Sequence, residues 1–64
     1  MSMYLSEIKH IDEYKRVILR YYDNVWSVVV YDHKDFGPQH YHFKDEEQAK
    51  TFRDFVYKDI SQNI

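Results

Sequence analysis

Two apolar runs flanking a two-residue turn signal constrain this chain more than any other feature. Arg16–Tyr22 and Val25–Tyr31 are rich in β-branched and aromatic residues, and Asp23-Asn24 lies between them. That arrangement predicts a β-hairpin. A turn holding only Asp23 and Asn24 pairs Tyr22 with Val25, Tyr21 with Trp26, Leu19 with Val28 and Val17 with Val30. Period-2 alternation then sorts the side chains. One face carries Val17, Leu19, Tyr21, Trp26, Val28 and Val30. The other carries Arg16, Ile18, Arg20, Tyr22, Val25, Ser27, Val29 and Tyr31. A one-residue slip would mix the two sets, so the register supports itself.

The apolar face needs a cover, and the C-terminal segment supplies one. Asp45 is a helix N-cap with Gln48 three residues on, a capping-box arrangement, and Glu46 and Glu47 suit the positive end of the helix dipole. Ala49, Phe52, Val56 and Ile60 recur at helical spacing, with Phe55 flanking, while Lys50, Arg53, Asp54, Tyr57 and Lys58 point elsewhere. The spacing predicts a helix over 46–60. Trp26 is expected to be buried against it, near Phe52 or Val56.

A third strand is expected over 39–44, after a looser connection from Asp32 to Pro38. Tyr41 and Phe43 belong with the core set, and His40, His42 and Lys44 fall on the other face. Strand order 1-2-3 places Val25–Tyr31 in the centre, which shields an aggregation-prone run. Tyr4, Leu5, Ile8 and Ile11 sit at helix-like spacing. They predict a short amphipathic helix over 3–12, with an extra edge strand as the alternative. The fold class is thus α+β: one small domain over 1–64, with an N-terminal segment (1–14), a three-stranded antiparallel meander (15–44) and a helix (45–61).

Composition limits what such a domain can do. At 64 residues it buries about 60% of its unfolded surface, so stability is marginal. There is no cysteine, hence no disulfide and no thiolate metal cage, which points to a reducing cytoplasm. The segment Met1–Glu7 lacks the blocks of a signal peptide, and no apolar run approaches the ~20 residues of a membrane span. Packing must come from seven Tyr, four Phe and one Trp. Gly37-Pro38, the only Gly and the only Pro, reads as a loop, with Phe36 partly exposed beside it.

The face turned from the helix is the candidate working surface. Arg16, Arg20, His40, His42 and Lys44 make it basic, while Ile18, Tyr22, Val29 and Tyr31 make it too apolar for a purely solvated surface. The structural explanation is a second minicore, with Ile8 and Ile11 of the N-terminal segment folded onto Ile18 and Val29. The functional explanation is a protein interface, with another copy or a different protein. Tyr, Trp and Arg anchor interfaces most often, and an apolar centre with a polar rim is the expected anatomy.

Nucleic-acid binding is the alternative. Tyr22, Tyr31, His40 and His42 have the chemistry to stack on bases, and Arg16, Arg20 and Lys44 to take phosphates. The run Trp26-Ser27-Val28-Val29-Val30-Tyr31, then Gly37, Phe43, Ala49 and Phe52, resembles the arm-type and AP2-like DNA-binding domains of phage integrases over about residues 15–57. The resemblance implies that the sheet docks on duplex DNA through Arg16, Arg20, Tyr31, His40 and Lys44. This chain departs from that pattern in its formal net charge of −2, where such domains are basic.

Signals for chemistry are few. His40-x-His42 puts two imidazoles on one side of a strand, the weak metal candidates, but a zinc site needs three or four ligands. Ser27 near a histidine lacks a nucleophile elbow, and one glycine cannot form a phosphate loop. The expectation is a cytoplasmic, non-catalytic binding module without cofactor, membrane or small-molecule substrate. Size and class suggest a small regulator or inhibitor of bacterial or phage origin.

Overall fold

The computed structural model describes residues 4–33, 35 and 37–62. Their order is β1 (Tyr4–His10), β2 (Arg16–Tyr22), β3 (Val25–Tyr31), β4 (Gln39–Phe43) and α1 (Glu46–Ser61). The four strands form one antiparallel sheet in the order β1-β2-β3-β4, and α1 packs on one face of it. This is the α+β class that the hairpin and helix patterns predict.

The central hairpin has the expected register, from Arg16 opposite Tyr31 to Tyr22 opposite Val25. Asp23 and Asn24 have φ of 54° and 66°, the pair of left-handed residues that a type I′ turn requires. Asn and Asp tolerate that region better than other non-glycine residues. The Tyr21 hydroxyl donates to Asn24 Oδ1 at 3.0 Å and braces the turn.

The helix-side core consists of Val17, Leu19, Val28 and Val30 from the hairpin with Ala49 and Ile60 from α1. Ile11, Trp26, Phe43, Phe52, Val56 and Tyr57 pack around it. Trp26 is half-buried there, its ring 4.5 Å from that of Tyr21. Tyr41 and Phe43 flank Phe52 at 4.7 and 5.3 Å, which puts β4 on the helix side as its alternation predicts. Asp45 caps α1 by accepting from the Glu47 N–H.

Three expectations need correction. The sheet has four strands rather than three, because the N-terminal segment is β1, the edge strand given as the alternative, and not a helix over 3–12. Isolated helices this short are marginal in water, whereas the flank of β2 offers a full row of backbone partners from His10 opposite Arg16 to Tyr4 opposite Tyr22. β1 therefore extends the sheet instead of folding over the open face. Ile8 lies beside Ile18 within the sheet, and Ile11 joins the helix-side core.

The apolar stripe of α1 is also shifted. Tyr57 packs on the core, and the Arg53 side chain is 13% exposed and bridged to Glu7, its Nη1 lying 3.3 Å from Oε2. Phe55 is instead 67% exposed, because at ~100° per residue it lies about 120° around the helix from Ala49. The stripe runs Ala49, Phe52, Val56, Ile60 with Tyr57 and the aliphatic stem of Arg53 on its flank. The third expected strand ends at Phe43, so Lys44 lies one residue beyond it. The expected exposure of Phe36 falls outside the described residues.

Candidate functional site

Register and alternation lay out the open face row by row. Ile8, Ile18, Val29 and His40 are successive neighbours across the sheet; Ser6, Arg20, Ser27 and His42 form the next row. On one flank stand Tyr4, Tyr22 and Val25, and on the other His10, Arg16 and Tyr31. The structure thus brings Arg16, Ile18, Arg20, Tyr22, Val29, Tyr31, His40 and His42 onto one surface. Lys44 sits exposed just beyond the end of β4.

An apolar row of Ile8, Ile18 and Val29 crosses this surface beside a polar row that holds Ser6, Arg20, Ser27 and His42. Val29 is 2% exposed, although it does not belong to the helix-side core. Its neighbours on the same face shield it, since it is flanked by Ile18 and His40 on the adjacent strands. Tyr4, Ile8, Tyr22 and Val25 are all exposed, and the rings of Tyr4 and Tyr22 meet edge to face at 6.2 Å. Among the described residues nothing covers them. An uncovered surface of this kind on a small domain usually has a use.

The two arginines differ. Arg16 lies over the ring of its cross-strand partner Tyr31, with its guanidinium carbon 3.8 Å from the centroid. That cation–π contact fixes both side chains. Arg20 is exposed and makes no ion pair or hydrogen bond among the described residues, so it is free to meet an external anion. A shallow depression runs past Arg20, Tyr22, Val25, Val29, His40 and His42, with Asp23 at its rim.

Charge is segregated by the fold. None of the strand residues on the open face is acidic. Glu7, the one acidic strand residue, faces α1 and is held by Arg53. Glu46, Glu47, Asp54 and Asp59 are carried on the helix. Lys50, Arg53 and Lys58 on the same helix nearly balance them, so the open face is set apart by lacking carboxylates on its strands rather than by facing an acidic surface.

Sequence reasoning offered β1 only as the alternative to a helix and did not count its residues among the strands of the open face. Tyr4, Ser6, Ile8 and His10 widen the open face by a strand. The signal was Tyr4-x-Ser6-x-Ile8-x-His10 in phase with Arg16–Tyr22, masked by the helix-like spacing of Tyr4, Leu5, Ile8 and Ile11. It also missed a second apolar feature, the groove where Phe55 and Phe52 meet Phe43 beside the start of α1.

The chemistry-bearing candidates stay dispersed. His40 and His42 share a face of β4, but no group of three or more His, Cys, Asp or Glu side chains suited to a metal ion occurs among the described residues. Ser27 is opposite His42 on the neighbouring strand, with no third group arranged behind it by any hydrogen bond among the described residues. No helix among the described residues is long and apolar enough to cross a membrane. No protein-family model, curated protein or solved structure matches this chain.

Proposed function

We propose that this chain is a non-catalytic binding module whose working surface is the open sheet face, and that its ligand is another protein with an apolar patch rimmed by carboxylates. The observation that carries the reading is the anatomy of that face: an apolar row of Ile8, Ile18 and Val29 with Arg20 in the row beside it, flanked by Tyr4 and Tyr22 on one side and by Arg16 and Tyr31 on the other. Interfaces are built this way, with aromatic and Arg anchors about an apolar core. A small cytoplasmic regulator or inhibitor fits the size and class.

A second reading has one observation behind it. No strand residue on the open face is acidic and Arg20 makes no ion pair among the described residues, which gives a local field that would attract phosphate despite the negative net charge. Nucleic-acid binding through the same face is therefore the competing proposal.

A tagged pull-down from lysate, with and without nuclease, separates the two, with Arg20→Glu as the surface variant. The protein reading expects a band that survives nuclease and is lost with Arg20→Glu. Retention that vanishes with nuclease and falls steeply with salt supports the nucleic-acid reading instead. Undiminished capture by Arg20→Glu and by Tyr31→Ala would remove this face from consideration.

A further inference from the structure

We propose that two copies of this chain join through β1, antiparallel and with Ile8 opposite Ile8, to make one eight-stranded sheet. This goes beyond the face reading, because it uses the edge of the sheet rather than its surface. β1 is an edge strand, and all seven of its residues are exposed.

The turn at Asp23-Asn24 determines which backbone groups that edge offers. A two-residue turn makes Tyr22 and Val25 a hydrogen-bonded pair. Alternation then directs the backbone groups of Leu19 and Tyr21 toward β1, where they meet Glu7 and Leu5. The N–H and C=O groups of Tyr4, Ser6, Ile8 and His10 consequently point away from the sheet. A second β1 can pair only by matching even-numbered residues with even-numbered residues.

Charge selects among the registers that remain. Centring the two-fold on Glu7 sets carboxylate against carboxylate. Centring it on Ser6 sets Glu7 opposite Leu5, with no basic partner. Centring it on Ile8 places Glu7 of each copy opposite Lys9 of the other, two attractive pairs related by symmetry. Charges on an edge ordinarily deter pairing. Here their signs alternate at a spacing of two, so one register turns the deterrent into a match. Glu7 is 55% exposed at its side chain and can keep Arg53 while receiving Lys9 of the second copy.

The other edge lacks this property. β4 offers the outward groups of His40 and His42, and antiparallel self-pairing there opposes histidine to histidine. A β1-to-β4 contact would be head-to-tail and would not close.

The fold also leaves room. α1 lies over β2, β3 and β4, and reaches β1 through Arg53 on Glu7 and Tyr57 beneath Lys9. With the two-fold perpendicular to the sheet, the two helices would stand about four strand spacings apart, roughly 19 Å. Packed helices sit at about 8–10 Å, so the pair would not collide. On the opposite side the apolar row would run unbroken through Val29, Ile18, Ile8 and their counterparts, doubling the open face.

The test exploits the absence of cysteine. Ile8→Cys in the full chain, treated with a short bis-maleimide, should give a covalent dimer, while Thr51→Cys on the exposed side of α1 should not. In sedimentation equilibrium, Lys9→Glu makes both charge pairs repulsive and should weaken dimerisation by about tenfold or more. The double exchange Glu7→Lys with Lys9→Glu should recover most of that loss, with far-UV circular dichroism confirming that each variant is folded. A monomer at millimolar concentration would overturn the proposal. So would a dimer that is indifferent to Lys9→Glu, or one whose Ile8→Cys variant resists cross-linking.

Discussion

Val28 and Val29 are adjacent on the central strand, with 0% and 2% exposure, yet they face opposite sides of the sheet. Val28 lies in the closed core between sheet and α1, whereas Val29 lies under its neighbours on the open face. Burial alone therefore predicts equal losses on truncation to Ala. The layered structure predicts unequal ones. Each substitution forfeits two methyl groups' worth of transfer free energy, about 0.8 kcal/mol apiece. Both also lose similar β-propensity, which cancels in the comparison.

At position 28 the helix cannot follow the shrinking side chain, so a cavity term is added and the loss should be about 2.5–3 kcal/mol. At position 29 water and the side chains of Ile18 and His40 can fill the space, and the loss should stay near the transfer term alone, about 1.6 kcal/mol. Urea denaturation followed by Trp26 fluorescence would read the difference as a midpoint gap of about 1 M, taking a slope near 1 kcal/mol/M for a domain this small. Equal midpoints at equal slopes would refute the reasoning. They would mean that Val29 sits in a closed core and that the open face is covered, which would also remove the surface on which the proposed function rests.

Other expectations follow from individual contacts. Asp45→Ala should cost about 1 kcal/mol by removing the side-chain acceptor for the Glu47 N–H, measurable by thermal melting. Tyr31→Ala should cost about 0.5–1 kcal/mol through the Arg16 cation–π contact, a loss absent when Arg16→Ala is already present. Glu7→Gln should change stability by less than about 1 kcal/mol, because its bridge to Arg53 is half in solvent. Zinc should leave the melting temperature unchanged. A rise that disappears in His40→Ala with His42→Ala would show that those two imidazoles recruit a metal after all.

Much of this protein was legible from local chemistry. The hairpin register followed from two residues, Asp23 and Asn24, that accept positive φ, together with alternation that any slip would destroy. The capped start of α1 followed from Asp45 and the acidic first turn. The open face inherited its membership from that register, so Arg16, Ile18, Arg20, Tyr22, Val29 and Tyr31 could be grouped without coordinates.

What lay beyond the sequence were the features that depend on distant partners. Tyr4–His10 carries a spacing compatible with a helix, and only the vacant flank of β2 makes it a strand. Tyr57 and Arg53 turn inward because β1 supplies Lys9 and Glu7 beneath them, contacts 46 and more residues away along the chain. Phe55 is left in solvent because its neighbours at helical spacing already cover the hairpin. Short-range chemistry determines where this chain turns and caps, since those costs are settled within a few residues. Tertiary structure decides which edge is filled and which face stays bare, because those outcomes depend on what surface remains once the central hairpin and its helix have packed.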